Sequence, residues 1–355
     1  MAGVTLQLNG GRWREHLGTI SAATPGLVPV IKGNGYGYGR RQLAAEAAEL
    51  GVDTVAVGVV DEVAEVREVF DGSIVILTPW DPANPLARDL IADPGVITTV
   101  SRLDDLVRLA DAVGEGVSPR VLVEVLTSMR RHGLLTDDLG RPAEVRDRII
   151  FEGWTIHLPL LADGRYAEAE RLARAALEVE VAPLWLSHLP TGEAATLARQ
   201  LAGAGGTPVP MRLRVGTRLW LGEESTRTTT ATVLDVHRVK RGERAGYRQR
   251  RCPADGWVVV VAGGTSHGIG MEAPTSASTV RQRAVALASG SLAAAGLALS
   301  PYTIEGRKRW FLEPPHMQSS LLFLPFKETP PVVGAEVPVE LRLTTATVDS
   351  ILTSS

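Results

Sequence analysis

The sequence alternates short apolar runs with helix-patterned segments from about residue 27 to residue 220, and this alternation constrains the fold more than any other feature. Such alternation is typical of repeated βα units. The eight predicted strands cover residues 27–31, 54–59, 73–77, 96–100, 120–126, 149–156, 183–187 and 211–215. The predicted helices cover residues 41–50, 61–69, 103–113, 166–177 and 193–201, with Asp61 and Ser101 as candidate N-caps. This order favours a closed (β/α)8 TIM-like barrel, and an open doubly wound parallel sheet is the alternative.

After about residue 221 the pattern changes to β-rich segments separated by Pro and Gly. These predicted strands cover residues 228–239, 256–262, 310–312, 319–326 and 336–343. A chain of 355 residues is also too long for one ordinary core. We therefore predict a barrel over residues 1–225 and a mostly β domain over residues 226–355. Residues 1–8 contain an alternating segment that we expect to pair with the C-terminal domain.

Composition excludes several classes of function. The net charge is −3 and the pI is about 6.2, which gives no support for a nucleic-acid partner. The one cysteine, Cys252, cannot form an internal disulfide, and the absence of a Cys/His motif predicts no metal site. The weakly polar stretch 284–300 is too interrupted to span a membrane. The first 20 residues lack a signal-peptide pattern, so we expect a cytoplasmic protein.

A glycine-rich turn follows the first predicted barrel strand. Residues 29–39 read PVIKGNGYGYG, so the apolar strand ends in Lys32. The carboxyl ends of barrel strands form the usual active-site mouth, where a partly desolvated lysine becomes nucleophilic. The structural alternative is a strand-end lysine that reaches solvent. The glycines do not have the GxGxxG spacing of a nucleotide-binding turn.

This stretch resembles the cofactor-lysine motif of the alanine racemase family, and five later segments agree with that family in order. Residues 123–133 (VEVLTSMRRHG) resemble its arginine segment, which assigns Arg131. Residues 152–157 (EGWTIH) resemble the strand that carries a histidine beside the cofactor ring. The remaining segments are residues 186–188 (LSH), 214–217 (RVGT) and 244–247 (RAGY). The resemblance spans nearly the whole chain.

The resemblance implies pyridoxal 5'-phosphate as the cofactor, held by Lys32. It implies two bases on opposite faces of the substrate Cα, Lys32 and Tyr247, with Tyr247 supplied by the other subunit of a homodimer. Arg214 would face the pyridine nitrogen and keep it unprotonated, and Arg131 would bind the substrate carboxylate or hold the tyrosine. The other implied cofactor contacts are Tyr36, His157, Ser187, Gly216 and Thr217, and the substrate end carries Met317 and Gln318.

Several positions depart from the family pattern. Glu124 stands where the family usually has a lysine, often carbamylated, and can supply the same negative charge. Residues 264–268 (GTSHG) replace a motif with a tyrosine and an aspartate, and Gln318 replaces an aspartate. Arginines 248, 250 and 251 follow Tyr247 and would make the entrance more positive. The sequence stops at Ser355, where the family commonly adds a tail with a phosphate-binding tyrosine, so we expect one phosphate contact fewer.

The resemblance therefore predicts a racemase that interconverts L- and D-alanine or a related small amino acid, which would serve as a peptidoglycan precursor. Since the departures lie on the substrate side, cofactor binding is the firmer expectation. Two alternatives remain open. One is a homologue that binds the cofactor or a cell-wall precursor without turnover, and the other is a pyridoxal-phosphate-dependent amino-acid decarboxylase.

Overall fold

The computed structural model describes residues 3–114, 116–160, 163–202, 206–271 and 298–354. The chain forms two compact units: residues 14–222 make one, and residues 1–13 with residues 223–355 make the other. Most of the weakly polar stretch noted above, residues 284–297, lies outside the described residues. In the described part of the chain, no helix is long and apolar enough to cross a membrane.

The chain opens with strand β1 (Val4–Asn9) and helix α1 (Gly10–Ala22), and eight parallel strands of the unit 14–222 follow. These strands are β2 (Leu27–Pro29), β3 (Thr54–Val57), β4 (Ser73–Ile76), β5 (Val96–Val100), β6 (Arg120–Val125), β7 (Ile150–His157), β8 (Leu184–Ser187) and β9 (Met211–Val215). Their hydrogen-bonded order is β2-β9-β8-β7-β6-β5-β4-β3. Val30 bridges in parallel to Ala56, and the Ile31 N–H donates to the Ala56 carbonyl at 2.7 Å. The two ends of the order are thus joined, and the predicted parallel barrel is confirmed.

Helices lie between the barrel strands. They are α2 (Arg40–Glu49), α3 (Val63–Arg67), α4 (Pro85–Leu90), α5 (Leu103–Ala112), α6 (Arg165–Val179), α7 (Thr191–Gln200) and α8 (Thr217–Trp220). Apolar side chains pack on both faces of the strands, which explains why the strands are near-continuous apolar runs. One cluster is Val28, Val30, Ala56, Val75, Ile97, Leu122 and Trp185. A larger cluster joins other strand residues to helices α5, α6 and α7.

The N-cap predictions for Asp61 and Ser101 are wrong. Arg102 is the residue that precedes helix α5, and its side chain makes no capping hydrogen bond. Residues 60–62 form a single 3-10 turn, and helix α3 begins only at Val63. The amides before this turn are bonded by the longer side chain of Glu62, which reaches back to Gly58 and Val59.

The second unit is built mostly from antiparallel strands around an apolar core. They are β10 (Arg227–Val239), β11 (Arg244–Ala245), β12 (Arg250–Arg251), β13 (Gly256–Ala262), β14 (Leu299–Ile304), β15 (Arg307–Phe311), β16 (Ser319–Pro325), β17 (Glu336–Pro338) and β18 (Ser350–Ser354). The main order is β14-β15-β16-β13-β10-β1-β18, with β17 beside β10. The predicted mostly β domain is confirmed. Strand β1 lies between β10 and β18, antiparallel to the first and parallel to the second.

Several strands of this unit differ from the sequence prediction. The predicted strand 336–343 ends at Pro338, although the Val339 N–H still donates to the Thr229 carbonyl at 3.0 Å. Strand β14 contains Pro301 and lacks a continuous apolar run, so the sequence did not predict it. Strand β18 is largely exposed, so its sequence lacks the apolar alternation of a half-buried strand.

Candidate active site

Three barrel strands present polar side chains at one level. The register pairs His157 of β7 with Ser187 of β8, and Ser187 with Arg214 of β9. The Ser187 hydroxyl lies 2.6 Å from His157 Nδ1. Arg214 Nη2 donates to the Ile156 carbonyl at 3.2 Å and to Ser187 Oγ at 3.4 Å. This adjacency follows from the parallel register, because residues at the same level of neighbouring strands share a face.

Burial sets the charge of these groups. Arg214 is 8% exposed, and burial, opposed by Glu124 and reinforced by Arg131, lowers its pKa to about 10. It therefore remains a cation at neutral pH. Burial, with Arg214 and Arg131 nearby, lowers the pKa of His157 to about 3, so the imidazole is neutral. The ring of His188 lies edge-on to that of His157 at 5.3 Å, and burial lowers the pKa of His188 as well.

Two buried polar atoms of this site have no hydrogen-bond partner within the described ranges: Nε of Arg214 and Oε2 of Glu124. Glu124 lies on strand β6 and is 4% exposed. Burial raises the pKa of Glu124, while Arg214 and Arg131 oppose that rise. A buried group left without a partner costs free energy, so both atoms are candidates for contacts with a ligand.

Lys32 lies just beyond strand β2, with part of its side chain exposed. Partial burial, together with the positive charges of Arg131 and Arg214, lowers the pKa of its amine, and Glu62 opposes this shift. Arg131 is exposed in the segment after strand β6. A lysine with a lowered pKa has more of the neutral, nucleophilic amine at neutral pH.

Tyr36 fills the space beside the start of helix α8. Its side chain is buried, and a Cβ added to Gly216 would lie 2.0 Å from the Tyr36 hydroxyl oxygen. Burial raises the pKa of Tyr36 to about 12, although a hydrogen bond with Thr217 lowers it. Gly216 is thus required by the close approach of the tyrosine. Tyr36, Gly216 and Thr217, predicted separately, are in mutual contact.

Tyr247 lies in the second unit, in the hairpin between β11 and β12. It is 85% exposed, and its ring lies 4.5 Å from that of His316. Its N–H and that of Arg248 donate to the buried carboxylate of Glu313, at 2.9 and 3.0 Å. His316 Nε2 lies 2.6 Å from Glu313 Oε1. Burial opposes ionisation of Glu313, but the hydrogen bonds from Arg248, His316 and Tyr247 prevail and hold its pKa below the ordinary value.

Met317 and Gln318 follow His316 with exposed side chains. The Met317 carbonyl accepts from the Ser266 N–H at 3.0 Å, and the Gln318 carbonyl accepts from the Gly263 N–H at 2.9 Å. His267, in the segment 264–268 that departs from the family motif, is buried, with Nε2 3.1 Å from Asp349 Oδ2.

The candidate residues fall into two sets. The barrel unit carries Lys32, Tyr36, Arg131, His157, Ser187, Arg214, Gly216 and Thr217, and the second unit carries Tyr247, Met317 and Gln318. The sequence interpretation missed three neighbours of candidate residues. Glu62 accepts the N–H of Gly33, the residue after Lys32, His188 packs against His157, and Glu313 accepts the Tyr247 N–H. Only His188 had a signal, since it follows Ser187 in the quoted motif. Among the described residues, no group of three or more His, Cys, Asp or Glu side chains could hold a metal ion.

Comparison with known proteins gives consistent results. A family model described as the alanine racemase N-terminal domain matches residues 9–201. An alanine racemase of Mycobacterium leprae is 30% identical over 155 residues, 41% of this chain and 37% of that protein. A lysine racemase of Oenococcus oeni is 34% identical over 134 residues, 36% of this chain and 35% of that protein. The matched stretches thus span little more than a third of these curated relatives.

Solved structures resemble the whole fold at low identity. An alanine racemase from E. faecalis superposes with a TM-score of 0.70 at 18% identity, covering 99% of this chain and 98% of that one. An alanine racemase from Bartonella henselae with covalently bound pyridoxal phosphate superposes with a TM-score of 0.68 at 16% identity, covering 96% of this chain and 91% of that one.

Proposed function

Because the chain belongs to the alanine racemase family, we propose that it is a pyridoxal-phosphate-dependent racemase of alanine or another small amino acid. The observation that carries the proposal is the strand-end cluster of the barrel. There the Lys32 amine, with its lowered pKa, shares a site with the aligned His157, Ser187 and Arg214. Strongly shifted pKa values that gather at one barrel end are typical of catalytic sites.

The residues present fit the cofactor. The unpaired Nε of Arg214 is a donor in a buried position, which suits an unprotonated pyridine nitrogen. The close approach of Tyr36 to Gly216 leaves the hydroxyls of Tyr36 and Thr217 together at the start of helix α8, a suitable place for a phosphate. Lys32 supplies the amine that holds the cofactor aldehyde.

When bound, pyridoxal phosphate supplies the electron sink that acidifies the Cα–H of an amino acid. In the proposal Lys32 moves the proton on one face of Cα and Tyr247 moves it on the other. Arg214 keeps the pyridine nitrogen unprotonated, since a buried cation disfavours a second positive charge beside it. Arg131 would hold the substrate carboxylate, Met317 and Gln318 would line the substrate end, and His157 would contact the cofactor ring.

The resemblance implies that Ser187 is a cofactor contact, and this proposal gives it a more specific role. Its hydroxyl already bonds His157 and Arg214, so it orients the arginine toward the pyridine nitrogen. Tyr247 is supplied by a second copy of the chain, which makes the working form a homodimer with shared sites.

Cofactor binding is tested by titrating the purified protein with pyridoxal phosphate and recording visible absorbance. We expect a band for the wild type that is lost in Lys32→Ala and in Lys32→Arg, which keeps the positive charge. The same band in either variant, or no band in the wild type, would overturn the assignment of Lys32.

Turnover is tested by exchange of the Cα hydrogen in D2O with alanine, serine and lysine, followed by chiral analysis. Appearance of the opposite enantiomer supports a racemase. Release of carbon dioxide would instead indicate a decarboxylase, and cofactor binding without exchange would indicate a binding protein. In Tyr247→Phe we expect exchange from one enantiomer to fall far more than from the other, and equal losses would contradict the two-base assignment.

The shared site is tested by mixing the Lys32→Ala and Tyr247→Phe variants, each nearly inactive alone. If Tyr247 comes from a second copy, mixed dimers contain one intact site and activity returns. If each chain completes its own site, mixing restores nothing.

A further inference from the structure

The turn that follows Lys32 is held by a carboxylate outside it. The turn includes residues with positive φ, among them Gly33 at 62° and Tyr36 at 55°. Within the turn, the Gly35 N–H donates to the Lys32 carbonyl at 3.2 Å. Positive φ is costly for a residue with a Cβ, so a turn of this kind persists only when its surroundings fix it.

Glu62 supplies that fixation. Its Oε1 accepts the Gly33 N–H at 2.8 Å, and its Oε2 accepts the Gly58 N–H at 2.6 Å and the Val59 N–H at 3.4 Å. The guanidinium of Arg40 donates to the Gly33 carbonyl and lies 4.0 Å from Glu62 Oε1. Gly33, the residue after Lys32, is therefore bonded at both its N–H and its carbonyl.

The chemistry of this contact requires a carboxylate. Both oxygens of Glu62 accept from backbone N–H groups, whereas a glutamine offers one accepting oxygen and a donor amide. A Cβ added to Gly58 would lie 3.1 Å from Glu62 Oε2 and 3.2 Å from Lys32 Cβ. The carboxylate thus fastens the chain directly beside the stem of the lysine.

The charge of Glu62 acts on the same lysine. The positive charges of Arg131 and Arg214 lower the pKa of the Lys32 amine, and Glu62 is the anion that opposes them. The side chain is 9% exposed, so water screens its charge weakly.

We propose that Glu62 is the positioning residue of Lys32: its carboxylate fixes the peptide that follows the lysine and holds a negative charge toward the amine. This inference deepens the proposed function and rests on it for its catalytic meaning. The competing role is purely structural, with Glu62 acting only as an anchor for the turn that precedes helix α3.

The test measures the acidity of Lys32 in the protein without added cofactor. Trace acetylation with acetic anhydride over a range of pH, read by peptide mass spectrometry, gives a reactivity profile for each lysine. The chain has four lysines, and Lys32 is the only one between residues 14 and 222, so Lys240, Lys308 and Lys327 are internal references.

In Glu62→Gln we expect the Lys32 profile to move to lower pH, because an opposing negative charge is gone. The matched control is Glu65→Gln. Glu65 also bonds Arg40, and it accepts the Arg41 N–H at 3.3 Å, so it belongs to the same network without being a hydrogen-bond acceptor for Gly33. The Lys32 profile in Glu65→Gln should match that of the wild type. An unchanged profile in Glu62→Gln, a shift to higher pH toward that of a solvated lysine, or equal shifts in both variants would overturn the proposal.

A measurement on the wild type keeps the proposal testable if Glu62→Gln does not fold. Hydrogen exchange should show the Gly33 amide slowed by about ten- to a hundredfold relative to an unprotected amide, since it donates to a charged acceptor. An unprotected Gly33 amide would refute the contact. Neither experiment uses cofactor or substrate, so both can be interpreted even if the protein has no racemase activity.

Discussion

The contact between Gly216 and Tyr36 makes Gly216→Ala a sharp test of the site. An added Cβ would lie 2.0 Å from the Tyr36 hydroxyl oxygen, 2.9 Å from its Cζ and 3.5 Å from Val30 Cβ. Ordinary contacts begin at 3.4 Å, so the hydroxyl must retreat by about 1.4 Å.

Tyr36 is buried, so its ring has little room to move. Overpacking of this kind costs about 1–3 kcal/mol. For a unit of about 200 residues this lowers the melting temperature by roughly 2–12 °C. We also expect weaker binding of pyridoxal phosphate, because the displaced hydroxyl belongs to the proposed phosphate site. Thermal and urea unfolding measure the first effect, and titration of visible absorbance measures the second.

Two further variants make the reasoning refutable. Gly192→Ala is the matched control, since a Cβ there meets nothing within 4 Å in helix α7, and we expect it to be neutral or stabilising. Tyr36→Phe removes the clashing oxygen but leaves Cζ 2.9 Å from the added Cβ, so the double variant with Gly216→Ala should recover part of the loss, with a coupling energy of about 1 kcal/mol. Wild-type stability in Gly216→Ala, or an additive double variant, would refute the packing argument.

Three other predictions follow from charges and hydrogen bonds. Burial raises the pKa of Glu124, so the folded chain retains a proton that the unfolded chain has released, and stability falls as pH rises above the ordinary carboxyl pKa. Urea unfolding should therefore show Glu124→Gln gaining stability relative to wild type as pH rises through this window, and the reverse trend would contradict the assignment. His157 has a pKa of about 3, mainly because it is buried, so the unfolded chain binds its proton first and stability is lost as pH falls from about 6.5 toward 3. His157→Gln should lose less stability over that range, and an equal loss would show that this histidine does not titrate as expected. Glu313→Gln removes the charged acceptor of the Tyr247 and Arg248 amides, so exchange mass spectrometry should show faster exchange at these two positions, while unchanged rates would exclude Glu313 as the anchor of the hairpin.

The barrel was predictable because parallel strands buried on both faces leave a plain signal. All residues of β3 and β5 are buried, and both strands appear in the sequence as short apolar runs. The exposed strand β18 and the Pro-containing strand β14 lack this signal.

The site was only partly predictable, and the reason is the same for the two carboxylates that were missed. Lys32 could be found because a lysine at the end of an apolar strand is conspicuous. Glu62 and Glu313 act through backbone amides of distant residues, and Glu313 lies 66 residues from Tyr247. A carboxylate that bonds the backbone has no motif of its own, because any sequence presents N–H groups. Such residues become visible only when the fold brings the segments together.

The electrostatics of the barrel site explain why it contains buried polar groups that lower the free energy of unfolding. Burying Arg214 without full pairing is unfavourable, and its Nε, like Oε2 of Glu124, has no partner within the described part of the chain. Each such atom costs about 1–3 kcal/mol, which better-packed apolar side chains would avoid. A ligand that offers an acceptor to Arg214 recovers part of that cost on binding. Because His157 is neutral, the cations that face such a ligand are Lys32, Arg131 and Arg214. The site therefore suits an anionic ligand that accepts a hydrogen bond from Arg214 and reacts with the amine of Lys32.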